Sequence, residues 1–229
     1  QTSGESLTAQ QPDNNIVRVA VQSMAAVLGG CQSLHTNSKD EALALPTEAA
    51  VKIALRTQQI VGHESGITKT VDPLAGSYYV EQLTDTIEAE ANKYLKKIDR
   101  MGGSLVGIER GFFQSEIRQN AYRLKKEIDG GERIIVGVNK FTDSTKEKLD
   151  IMKIDDSIQT QQVQHLKELR STRDNAKVES ALGKMKNAAD KDENLMPYIL
   201  DAVKSYATLG EISNTFREVF GIYQPKETF

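Results

Sequence analysis

Residues 31–46 read CQSLHTNSKDEALALP. Residues 31–34, Cys-Gln-Ser-Leu, read as a short strand. Residues 35–41 are all polar, and Ala-Leu-Ala-Leu-Pro follows. An apolar strand that opens directly into a polar rim is where α/β barrels place their chemistry. The same pattern also suits a solvated loop with a helix cap inside it, and composition leaves both open.

Moving upstream, Pro12-Asp13-Asn14-Asn15 is a helix-start signal, with side-chain oxygens able to accept first-turn N–H groups. The helix predicted over residues 15–28 puts Ile16, Ala20, Met24 and Leu28 on one inward face, with Val17, Val21 and Ala25 beside them. Gly29-Gly30 ends it. Downstream, a helix over residues 47–63 carries Ala50, Ile53, Ala54 and Ile60 inward. Helix, Gly-Gly, strand, polar loop, helix is the grammar of a parallel α/β barrel or doubly wound sheet.

After Asp72-Pro73 and Gly76 the chain turns helical. Helices are expected over residues 78–100, 105–109 and 112–129, then one long helix from Asp155 to about Asp190, then 193–207 and 210–220. The long helix should face Ile158, Val163, Leu166 and Leu169 inward. Residues 134–138, rich in β-branched side chains, read as a strand, and residues 142–153 as irregular.

Composition narrows the function classes. The 229 residues carry a net charge of -3, so there is no basic excess of the kind nucleic acid demands. No run approaches the roughly 20 apolar residues needed to span a bilayer. One cysteine, Cys31, allows no internal disulfide, which fits a reducing, cytoplasmic setting. His35, His63 and His165 have no His or Cys at metal-ligand spacing, so no metal site is assigned. No P-loop, GxSxG or GxGxxG stands in a strand–turn–helix context. Asn37 and Glu41, four residues apart, share a face if the backbone turns helically there. An amide beside a carboxylate suits a ligand rich in hydroxyls, such as a ribose. A helix N-cap with an acid in the first turn explains the same spacing.

Four stretches carry a resemblance: QTSGESLTAQQPDNNIVR (1–18), QSLHTNSKDEALALPT (32–47), ESGITKTVDPLAGSYYVE (64–81) and IIVGVNKF (134–141). Together they resemble the methylmalonyl-CoA mutase family, the adenosylcobalamin-dependent acyl-CoA mutases. The resemblance implies an α/β fold: the C-terminal part of a TIM-type (β/α)8 barrel in residues 1–66, followed by a mostly helical post-barrel region in 67–229. It implies a radical isomerase interconverting methylmalonyl-CoA and succinyl-CoA, or a sister mutase acting on 2-hydroxyisobutyryl-CoA or isobutyryl-CoA. An assembly role without binding capacity is the remaining reading.

By the same resemblance, Gln1 faces the cofactor and substrate region, and Gly4 lets the corrin approach the backbone. Asn37 and Glu41 hold the adenosyl group, and Ala42 and Leu45 pack on the corrin. None of these is assigned an acid–base role. Glu5 departs from the pattern, since many family members carry tryptophan after QTSG. The Asp-x-His-x-x-Gly signature of the cobalamin module does not occur in the sequence. A separate small cobalamin-binding subunit is therefore the expected partner, with an acyl-CoA substrate, an oligomeric assembly, and neither nucleic acid nor membrane. The chain is read as a piece of a longer protein, inactive by itself.

Overall fold

The computed structural model describes residues 1–144, 151–191 and 193–224. The irregular stretch expected at 142–153 therefore lies partly outside the described residues. Among the described residues there is no strand: nine α-helices and two short 3-10 helices are joined by loops, with one isolated β-bridge between Val136 and Lys140. The expected α/β class, with the last units of a (β/α)8 barrel, is overturned; the described chain is helical.

The two expected strands fail for a shared reason. A strand needs a neighbour to take its backbone groups, and in both segments other partners take some of them. The Cys31 N–H donates to the Ala26 carbonyl at 3.2 Å, closing the preceding helix. The Leu34 carbonyl accepts from Gln58 Nε2 at 2.9 Å. In residues 134–138 the organiser is Asn139. Its Oδ1 accepts the Ile135 N–H at 2.7 Å, and its Nδ2 donates to the carbonyls of Ile128 and Arg133 at 2.8 and 2.7 Å. Gly137, at φ 81°, turns the chain back.

The described residues divide into two compact units, one running to residue 153 and the other starting at Ile154. The first holds α1 (Asn14–Leu28), α2 (Glu48–His63), α3 (Tyr78–Met101), α4 (Ser104–Glu109) and α5 (Phe112–Asp129). Helices α1 and α2 pack together. Helix α1 buries Asn15, Val19 and Ser23, whereas Val17 and Val21 are 63% and 57% exposed. The inward face expected from Ile16, Ala20 and Met24 is thus displaced by one residue, about 100° of rotation. Helix α2 buries Ala50, Ala54, Thr57 and Val61, small side chains that let the helices approach closely. Ile53 and Ile60, expected inward, are exposed.

The second unit holds α6 (Asp156–Thr172), α7 (Asn175–Asp190), α8 (Met196–Lys204) and α9 (Leu209–Phe220). The single helix expected from Asp155 to Asp190 is broken at Arg173–Asp174. Arg173 is extended (φ -75°, ψ 161°), and the Asp174 carboxylate caps α7 by accepting the Lys177 N–H at 3.2 Å. Helix α6 buries none of its residues, contrary to the inward stripe expected from Ile158. The core lies among α7, α8 and α9: Met185 and Ala202 are fully buried beside Ala181 and Ile212. No described helix is long and apolar enough to cross a membrane.

One ion pair ties the break to α9. Arg173 donates to Glu211 through both arms of its guanidinium, Nη1 to Oε2 at 2.7 Å and Nη2 to Oε1 at 2.5 Å. It also donates to the Tyr206 carbonyl at 2.8 Å. Glu211 completes a capping box with Thr208 at the start of α9. The Arg173 hydrogen bond, then the Thr208 N–H, hold the Glu211 carboxyl at about 2 against an ordinary 4.5, with burial opposing.

A depressed folded-state value stabilises above the unfolded one and is lost as pH falls through the folded one. The Glu211 contribution, on the order of 1–3 kcal/mol, is therefore complete above pH about 4.5 and gone near pH 2. Glu211→Gln should destabilise the second unit at pH 7, read as faster amide exchange in α7–α9. The gap to wild type should close as pH approaches 2; a gap that is constant with pH would refute the ion-pair origin.

Candidate functional site

Two loops carry the residues singled out from the sequence: residues 1–8, ahead of α1, and residues 35–47, between α1 and α2. They lie side by side. The Thr2 N–H donates to the His35 carbonyl at 3.0 Å. The Thr2 hydroxyl donates to Asn37 Oδ1 at 2.6 Å and accepts the Asn37 N–H at 3.0 Å. Asn37 Nδ2 then donates to Glu41 Oε2 at 2.6 Å, and the Ser38 N–H donates to Glu41 Oε1 at 2.6 Å. Gly4 sits against this cluster: a Cβ built on it would lie 3.5 Å from Asn37 Nδ2.

The structure therefore brings Gly4, Asn37 and Glu41 together. Gln1, Ala42 and Leu45 are exposed on the same loops and make no side-chain hydrogen bond within the cluster. The helix-cap explanation of Asn37 and Glu41 does not hold. Helix α2 begins at Glu48, and its cap is Thr47, whose hydroxyl accepts the Ala50 N–H at 3.3 Å. Glu41 instead closes a turn back onto Ser38. Each of its oxygens accepts one protein hydrogen bond and keeps a second lone pair for an incoming hydroxyl. Glu41 is partly exposed, and Asn37 is buried. The cluster can thus receive and orient a hydroxyl-bearing group. Its neighbours give it no arrangement for moving a proton.

Three residues of this site were missed in the sequence. Thr2 is buried and holds Asn37 from both sides. Asp40 is buried, and its Oδ2 accepts the N–H and hydroxyl of Thr47, both at 2.9 Å, joining the loop to the start of α2. Its Oδ1 is buried with no partner among the described residues. Asn15 is fully buried in α1 and bonds to both loops. The signal for Asn15 was its register with Val19 and Ser23, each four residues on; Thr2 and Asp40 left none. Glu5, next to Gly4, lines a cleft of about 660 Å³ with Val17, Val21, Leu124 and the 134–136 segment.

Comparison with known proteins adds a second line. A family model described as methylmalonyl-CoA mutase matches residues 1–222. The methylmalonyl-CoA mutase of Escherichia coli (strain K12) is 45% identical over 224 residues, covering 97% of this chain and 31% of that protein. The mitochondrial methylmalonyl-CoA mutase of Homo sapiens is 42% identical over 229 residues, covering 99% of this chain and 30% of that protein. The 2-hydroxyisobutanoyl-CoA mutase large subunit of Aquincola tertiaricarbonis is 40% identical over 231 residues, covering 100% of this chain and 41% of that protein. The chain spans less than half the length of these curated relatives.

Thr2→Val keeps the shape of Thr2 and deletes both hydroxyl bonds, leaving the buried Asn37 N–H unsatisfied. Thermal unfolding should show a loss of about 1–3 kcal/mol. Thr2→Ser, which keeps the hydroxyl, should recover most of it. A loss in Thr2→Ser with none in Thr2→Val would show that packing of the methyl group, and not the hydrogen bonds, holds Asn37.

Proposed function

Because this chain belongs to the methylmalonyl-CoA mutase family, we propose that it serves an adenosylcobalamin-dependent isomerase interconverting methylmalonyl-CoA and succinyl-CoA. The observation that carries this reading is the Gly4–Asn37–Glu41 cluster. Gly4 has no positive φ, and an added Cβ would make only ordinary contacts. Nothing in the protein itself requires glycine there, whereas a flat ligand lying on the backbone does. Beside it stand a carboxylate and an amide with hydrogen-bonding capacity to spare. These residues fit the adenosyl end of the cofactor.

Bound adenosylcobalamin would supply the radical chemistry through its cobalt–carbon bond. The residues of this chain bind and orient. Glu41 accepts from ribose hydroxyls, and Asn37, locked by Thr2, adds its amide. Gly4, Ala42 and Leu45 would give the corrin an uncharged surface, and Gln1 would face the cofactor and substrate region. These roles are positional. A separate small cobalamin-binding subunit would complete the cofactor site, within a cytoplasmic oligomer. The match to a 2-hydroxyisobutanoyl-CoA mutase large subunit, together with Glu5 in the lining of the cleft, favours that substrate as the second reading.

The test is turnover in the mutase reconstituted with a cobalamin-binding subunit, comparing methylmalonyl-CoA with 2-hydroxyisobutyryl-CoA. Faster turnover of the former is expected, and no turnover of either would defeat the enzyme reading. Gly4→Ala separates ligand from fold. Its unfolding free energy should stay within about 0.5 kcal/mol of wild type, while the affinity for adenosylcobalamin falls at least about tenfold. Unchanged affinity would remove Gly4 from the site. Glu41→Gln should weaken the same affinity.

A further inference from the structure

Resting on that reading, we propose that Asn15 is a positioning residue that sets the spacing between the two loops of the cofactor site. Asn15 is 0% exposed, and its amide is fully used. Nδ2 donates to the carbonyls of Thr8 and Lys39 at 2.9 and 2.8 Å. Oδ1 accepts the Thr8 N–H at 3.1 Å and Arg18 Nη1 at 2.7 Å. Two carbonyls on one side and two N–H donors on the other allow only one orientation of the amide.

The position of this side chain gives it leverage. Thr8 ends the loop that carries Gly4, and Lys39 lies between Asn37 and Glu41. The Thr2–Asn37 pair fastens the two loops at one end, and Asn15 fastens them at the other. The gap in which Gly4 faces Asn37 is bracketed by these two attachments. Removing Asn15 releases one end of the bracket while Thr2, Gly4, Asn37 and Glu41 all remain present. A site held within about 0.5 Å of its working geometry depends on such supporting bonds.

Arg18 orients Asn15 in turn. Its Nη1 donates to Asn15 Oδ1 and to the Thr8 hydroxyl at 3.0 Å, and its Nη2 donates to the Val136 carbonyl at 2.8 Å. Gln11 adds a second attachment, with Nε2 donating to the Phe141 carbonyl at 2.9 Å and to Asp143 Oδ2 at 2.7 Å. The 133–143 segment is therefore bonded to Arg18, which in turn bonds the side chain that spaces the site. It influences the cofactor loops through Arg18 and Asn15 without touching Gly4, Asn37 or Glu41.

Asn15→Asp is the decisive change, because it turns acceptor lone pairs toward the Thr8 and Lys39 carbonyls. In the reconstituted mutase, hydrogen–deuterium exchange of the amides in residues 2–8 and 36–41 should accelerate at least about tenfold, with α7–α9 unchanged. The dissociation constant for adenosylcobalamin, read by absorbance titration, should rise about tenfold, with KM for methylmalonyl-CoA within about twofold of wild type. Glu211→Gln is the control for general destabilisation and should leave the cofactor affinity unchanged. If Asn15→Asp does not fold, Asn15→Ala, which deletes the bonds without adding charge, replaces it with the same readouts. Unaltered exchange in residues 36–41, or an equal affinity loss in Glu211→Gln, would overturn the inference. If the wild-type enzyme itself fails to bind adenosylcobalamin, the proposed function falls, and the exchange measurement alone still decides the role of Asn15.

Discussion

A buried asparagine is costly unless its donors and acceptors are all met, and Asn15 meets this condition with four hydrogen bonds. The rest of the first unit follows from that requirement. To bring Asn15 against the Thr8 and Lys39 carbonyls, α1 must turn its 15–19–23 face inward. That places a serine in the interior and leaves Val17 and Val21 outside. A helix placed by hydrophobicity alone would turn the other way. The bonds of one amide set its rotation, and the rotation decides which loops meet beside it.

Much of the helical framework was legible because caps and glycines act locally. Helices α1, α2, α3 and α5 appear within a residue of where periodicity and Gly stops put them. What was not legible depends on which partner each polar side chain takes, near or far in sequence. Residues 31–34 and 134–138 have strand-like composition, but whether they pair depends on which partners are near. Gln58 takes one carbonyl of the first segment, and Asn139 folds the second into a turn. The break between α6 and α7 was hidden differently. Asp174 stands in a continuous polar run, and only its cap on Lys177 shows that a new helix begins there.

The candidate site divides along the same line. Asn37 and Glu41 could be paired from their spacing, and the structure bonds them directly. Spacing could not separate a ligand site from a helix cap. What removes the cap explanation is α2 starting at Glu48 with Thr47 as its own cap. The partners that hold the pair, Thr2 and Asn15, lie 35 and 22 residues from Asn37, beyond any local pattern. Sequence similarity compensates for this, because it compares whole chains and does not depend on contiguous signals.

The second unit holds together in two chemically distinct ways. Helices α7, α8 and α9 share an apolar core around Met185 and Ala202. Helix α6 buries none of its residues, and the ties described for it are ionic. Arg173 at its end and Arg170 in its last turn both reach Glu211, Arg170 at 3.7 Å. Added salt screens the exposed Arg170 contact, acts far less on the pair made by the buried Arg173 guanidinium, and leaves apolar burial intact or strengthens it. Ionic strength thus acts selectively on this unit, weakening the outer Arg170 contact while the buried Arg173–Glu211 pair and the three-helix core stay assembled.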